Sequence, residues 1–476
     1  MFKSKLFVLI RNLKKEEHKR VRNFIVSPYF NRKPELVKLY DYIIRLYPNF
    51  PSKKLDRKEV YKELFPAKGY DEKEITYMMS SLSQLIERYL GQRQYEQAEG
   101  LVIIHQMDAL SKRGLNKHYS YKSRKVNHPS IKKNVNNSNH YYEALRFAEI
   151  KNEFFVLNGG DTYDPNLQYA IDNLDRFYYS KRLKLICEVE DRNRLMTEVY
   201  RYSSRGELLA FIENSGLLKL PIIKAYYHVL NLFISDNPDE HFQDLMNFID
   251  ANLAVLPHSD RSNILNYGIN YGARKMSTNI NPDFFAKKCL KAYLHGIGKG
   301  VFFENSYLSS FHFRNVIMLG LNLKEFEATH LFIERYGDDL EPSERKDLLK
   351  YCLAELCYAQ KNYDKALDHL REIAYNKDKY YQLDAKLMQT RIYFDKGEED
   401  PLDSLLSSFR LFLTRNKKFP KKKIQASLNY CKLLMRIMRK NRANKEKIRA
   451  DIEKKELLVN KRWLLEALEK SLSDEE

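Results

Sequence analysis

The chain has 476 residues, 43% of them hydrophobic and 13% aromatic, with 82 Lys and Arg against 63 Asp and Glu for a formal charge of +19. That apolar share excludes an intrinsically disordered protein, and the basic excess admits anionic partners without restricting the fold. Sixteen Gly and fourteen Pro, where average usage gives roughly 33 and 24, exclude a turn-rich β-protein and point to helices joined by short loops.

The first apolar run, Leu6 to Ile10, spans five residues before charge returns. A secretory core needs roughly 7–15 such residues and a membrane span about 20. The expectation is therefore a cytoplasmic protein without a transmembrane segment. Residues 1–96 read as a small N-terminal helical bundle. Glu16 to Val26 is helical until Ser27-Pro28, because the residue before proline is pushed out of helical geometry. A second helix from Pro34 places Leu36, Leu39, Tyr40, Ile43, Ile44 and Tyr47 on one face. A third runs from Arg57 to Leu64, and a fourth from Glu72 to Tyr89 with Ile75, Met78, Met79, Leu82, Leu85 and Ile86 on one side.

Residues 97–140 read as a basic linker, a helix over Ala98 to Lys112 and then, over 112–140, a poorly packed helix plus a long loop or hinge in which the apolar pattern fades. From Tyr141 onward, segments of helical periodicity alternate with breaks near Gly159, Gly216, Pro238, Pro257, Pro282, Gly300, Pro342, Gly397 and Pro420. The spacing predicts helix pairs of roughly 36–40 residues, the mark of a helical solenoid. We divide this part into divergent repeats over 141–303, clearer repeats over 304–415 and basic C-terminal helices over 416–476. The fold expected is all-α, a small bundle followed by an α-solenoid of antiparallel helix pairs.

The clearest unit is Leu353 to Ile373, LAELCYAQKNYDKALDHLREI. The small Ala354 lies where a second helix must cross closely. Lys361-Asn362 reverses the chain, and Tyr363, Ala366, Leu367 and Leu370 face back onto the first helix. Upstream, Phe326 and Ile333 stand 37 residues before Tyr363 and Leu370, although Gly320 and Thr329 occupy the places of Cys357 and Ala366. A further unit, Tyr381 to Phe412, carries Tyr393 and Gly397 before its turn. These residues make the chain resemble the tetratricopeptide-repeat-like superfamily over 304–415. Over 141–303 periodicity alone carries the likeness, and 1–96 lies outside it. A small helical unit before a divergent repeat array is also similar to bacterial cytosolic proteins. The resemblance implies a surface that binds proteins or peptides, and it implies no catalytic residues and no cofactor.

The basic excess is local. Fourteen Lys and Arg face one acid between Arg415 and Arg449, and eight Lys and Arg lie between Asp108 and Glu143 with no acid at all. Lys417, Lys418, Lys421, Lys422, Lys423, Arg436, Arg439 and Lys440 read as a basic stripe that could bind anions or the phosphates of RNA or DNA. The alternative is a solvated helix face. Gly296-Ile297-Gly298-Lys299-Gly300 lacks the hydroxyl and the spacing of a phosphate-binding loop and reads as a helix C-cap. Twelve His form no HExxH and no other i, i+4 pair, so His105, His228, His295, His312 and His330 read as packed or surface imidazoles, with no metal site expected. Five Cys, widely spaced and without a CxxC, read as free thiols. The functional expectation is a non-enzymatic interaction scaffold, with a nucleic-acid-associated protein as the alternative.

Overall fold

A computed structural model describes residues 4–125, 137–194, 196, 198–278, 280–373, 379–415, 419–439 and 445–473. Among them 23 α-helices form, with one two-residue hairpin pairing β1 (Phe303–Glu304) with β2 (Tyr307–Leu308). The chain is all-α, and no helix among the described residues is long and apolar enough to cross a membrane. Contacts divide it into two units, Met1–Tyr179 and Ser180–Glu476.

The first unit opens with α1 (Lys5–Arg11), α2 (Lys15–Val26), α3 (Pro34–Arg45), α4 (Arg57–Leu64) and α5 (Glu72–Gln97) around one core. Leu6 and Ile10, from the first apolar run, belong to that core with Val21, Ile25, Leu39, Ile43, Val60, Leu82 and Ile86. Side-chain oxygens start α4 and α5. Asp56 accepts from the Lys58 amide, and Asp71 accepts from the amides of Lys73 and Glu74, which satisfies donors a helix N-terminus otherwise leaves open. Helix α5 continues eight residues past the expected end at Tyr89.

A second core joins α6 (Glu99–Ser111), α7 (Asn116–Lys125) and α8 (Ser138–Leu157). Part of the expected linker is thus packed helix. Its anchor is Tyr119, 3% exposed, stacked 3.7 Å from Phe154 and donating to the Ile150 carbonyl at 3.3 Å. One aromatic ring supplies the burial that the periodicity of 112–125 does not announce. Residues 126–136, including the expected loop and Lys132 and Lys133, lie outside the described residues. Helix α9 (Pro165–Asn193) carries the unit boundary.

The second unit is a succession of paired helices: α10 (Arg205–Asn214), α11 (Pro221–Ile234) with α12 (Pro238–Asn252), α13 (His258–Ser277) with α14 (Pro282–Gly298), α15 (Ser310–Asn322) with α16 (Phe326–Tyr336), α17 (Pro342–Ala359) with α18 (Tyr363–Arg371), and α19 (Lys379–Lys396) with α20 (Glu399–Arg415). Of the prolines read as breaks, Pro238, Pro282 and Pro342 stand at the first position of α12, α14 and α17, where a missing N–H costs nothing. Within each pair the helices pack on one another, and α15, α17 and α19 also pack in series. Helices α21 (Lys421–Met438), α22 (Lys445–Lys454) and α23 (Lys461–Ser473) close the unit around Tyr430, Leu434, Ile437, Leu464 and Leu468. A buried ionic node ties α11 to α13. Asp260, 5% exposed, accepts from the Tyr226 hydroxyl and from Lys184, each at 2.7 Å.

The turns repeat with the pairs. Lys324, Lys361 and Gly397 each hold a positive φ, of 58°, 60° and 72°, and they lie 37 and 36 residues apart. At each turn the next amide bonds back to a carbonyl five residues earlier, Glu325 to Gly320, Asn362 to Cys357 and Glu398 to Tyr393, at 2.8–2.9 Å. This is the Schellman closure, which satisfies the last helical carbonyls. Gly300 closes α14 in the same way through Val301 and Gly296, so the glycine cluster at 296–300 ends a helix.

The crossing residues explain the weakened upstream match. A Cβ on Gly320 would lie 2.2 Å from Thr329 Oγ1. Gly320 and Thr329 are nine residues apart, as are Cys357 and Ala366. Upstream the small residue sits on the first helix, and downstream it sits on the second. The volume at the crossing is shared differently between the two helices.

Candidate ligand-binding groove

A cavity of the second unit, about 490 Å³, opens along α15, α17 and α19. That volume falls in the range of ligand clefts, roughly 300–1,000 Å³. Arg314 comes from α15, Tyr351 and Glu355 from α17, and Asp384 and Arg391 from α19. The first helices of three successive pairs therefore place four charged groups in one groove. Phe311 and Met318 form an apolar wall on α15, one turn before and one turn after Arg314, and are 68% and 41% exposed.

The charges inside are incompletely matched. Arg314 Nη2 stands 3.9 Å from Glu355 Oε1, and its Nη1 stands 3.5 Å from Asp384 Oδ2. The guanidinium also lies over the Tyr351 ring at 4.9 Å. Glu355 is 8% exposed, yet its Oε2 has no hydrogen-bond partner, and neither has the buried Nε of Arg391. Burial pushes the Glu355 carboxyl above its ordinary range, with Arg314 opposing that shift. Arg391 is held over the Tyr358 ring at 4.9 Å, and the Tyr358 hydroxyl donates to Asp395 at 2.7 Å. A buried carboxylate oxygen and a buried guanidinium N–H without partners are expensive in isolation. Together they suit a guest that donates at one point and accepts at another. A polypeptide backbone does both, and an apolar side chain beside it would find Phe311 and Met318.

The anion-binding residues expected from sequence fall differently. Lys417, Lys418 and Lys440 lie outside the described residues. Lys421 and Lys422 are exposed in the first turn of α21, and Arg439 is exposed at its C-cap. Over 18 residues these ends are about 27 Å apart. Between them Arg436 is committed, donating to Asp451 Oδ2 at 2.6 Å. Lys423 lies half-buried with its Nζ 3.9 Å from Asp384 Oδ1, which brings it to the edge of the groove. Sequence reasoning missed the groove residues. The available signal was Glu355, an acid between the buried Ala354 and Leu356 in the densest repeat motif. The 37-residue period, applied to the first helices, places Arg314 with Tyr351 and Met318 with Glu355.

Comparison of the chain with family models, with curated proteins and with solved structures found no match.

Proposed function

We propose that this protein is a non-enzymatic helical-repeat scaffold of the tetratricopeptide-like kind, which holds an extended segment of a protein partner in the groove of α15, α17 and α19. The observation that carries this reading is that Glu355 and Arg391 line one open cleft, each with a buried polar atom, Oε2 and Nε, that has no hydrogen-bond partner, beside exposed apolar side chains. Folding tolerates such groups where a ligand completes them. The recurrence of the Schellman turns at 324, 361 and 397 and the serial packing of α15, α17 and α19 support a solenoid as the framework. Repeats of this kind use shared helix faces to bind partners.

The test is affinity capture on the full chain with and without nuclease, comparing three proteins: the parent, F311A/M318A and K421E/K422E/R439E. All five substituted residues are exposed, so each variant should fold. The scaffold reading expects partner proteins retained after nuclease, lost from F311A/M318A and kept by the charge-reversed variant. Capture that vanishes with nuclease and with the charge-reversed variant, but persists in F311A/M318A, would replace it with the nucleic-acid reading.

A further inference from the structure

The helix pair α11–α12, remote in sequence from the groove, brings together groups the sequence keeps apart. His228 lies on α11, and His241 and Asp244 lie one turn apart on α12. One ligand atom from each of the three falls within 4.8 Å of the others. The two imidazole centroids are 5.8 Å apart at 49°, and the Tyr227 ring lies 5.6 Å from His228 and 6.0 Å from His241.

His228 is 7% exposed, and its Nδ1 has no hydrogen-bond partner; the buried Nδ1 of His241 has none either. Buried ring nitrogens in helix contacts are normally satisfied by a carbonyl, a carboxylate or each other. Two that remain open at the same contact, with a carboxylate alongside, call for something that fills all three at once. We propose that His228, His241 and Asp244 bind a divalent transition metal of the zinc class, clipping α11 to α12.

The chemistry of the donors fits. Two neutral imidazoles and one carboxylate suit a borderline ion with Zn–N near 2.0–2.1 Å and Zn–O near 2.0–2.2 Å, which puts donors roughly 3.3–3.5 Å apart in a tetrahedron. Closing the cluster to that size falls on Asp244, which is exposed, and His241, which is half-buried, while the buried His228 stays fixed. The fourth position belongs to water. Tyr227 supplies an apolar wall, its hydroxyl being engaged with Glu213 at 2.6 Å. Lys224, one turn before His228 on α11, opposes the charge; the Asp244 carboxylate offsets it. Such a clip stabilises the pair because the folded chain presents all three ligands together and the unfolded chain does not.

The full chain, stripped with chelator, is titrated with Zn²⁺ and, separately, with Co²⁺. Zinc should raise the melting temperature by a few degrees at saturation. Cobalt should give intense visible bands of a tetrahedral site without the near-ultraviolet thiolate transition that the free cysteines would produce. In D244N and H241Q, whose side chains are at least partly exposed, affinity should fall by about tenfold or more, while metal-free far-ultraviolet dichroism matches the parent. No thermal shift, thiolate-dominated cobalt spectra, or equal binding by both variants would overturn the site.

Discussion

Gly320→Ala tests whether the crossing of α15 and α16 is set by a shared volume. A helical alanine is favoured over glycine by about 1 kcal/mol, so on propensity alone the substitution stabilises. The structure reverses the sign. The new methyl would stand 2.2 Å from Thr329 Oγ1 and 3.4 Å from its Cβ, whereas non-bonded carbons settle at about 3.5–4.0 Å. Thr329 is 4% exposed and its hydroxyl donates to the Glu325 carbonyl at 2.7 Å, so it has little room to turn. Overpacking costs about 1–3 kcal/mol and the disturbed hydrogen bond about 1. The net expectation is a loss of about 2 kcal/mol. Thr329→Ala removes the clash and recreates the division of volume seen at Cys357 and Ala366. G320A/T329A should therefore recover at least half the loss, with a coupling energy above about 1 kcal/mol. Urea unfolding followed through Trp463 reads the second unit, because the chain has a single tryptophan and it packs 5.4 Å from Phe394. Losses that simply add, within about 0.5 kcal/mol, would refute the shared-volume account.

Two further substitutions probe the groove and the turns. Burial raises the Glu355 pKa from its ordinary value of 4.5. Folding therefore takes up a proton, and the parent's stability falls as pH rises from about 4.5 through the folded-state pKa. Glu355→Gln should be more stable than the parent at neutral pH, lose that advantage as pH falls below the unfolded value, and capture less partner. A urea midpoint that does not move at neutral pH would count against a strained carboxylate. Lys361 holds φ at 60°, a conformation that costs a residue with a Cβ about 1–2 kcal/mol. Lys361→Gly should raise stability by about 1 kcal/mol in the same urea assay, and a loss would mean that the lysine side chain contributes more than its backbone costs.

Helix positions were legible where one face recurs at short range. Arg57–Leu64 and the start at Pro34 agree with expectation to the residue, because an apolar face and a proline act within a few residues. Two pairs of adjacent tyrosines, Tyr141-Tyr142 and Tyr226-Tyr227, behave as a 100° helical step requires. Tyr141 and Tyr226 are buried at 4% and 1%, with their neighbours more open. Helix α7 was less legible, since a single ring, Tyr119, packs it.

The groove and the histidine cluster were not legible, because each depends on which residues of different helices meet. Composition and periodicity already dictate an all-helical chain with short proline- and glycine-marked turns, since helix formation and capping are local events. Packing alone brings Arg314, Glu355, Asp384 and Arg391 into one cleft, and sets His228 against His241. Those meetings follow from crossing positions such as Gly320 with Thr329, where the volumes of two side chains set how closely the helices approach.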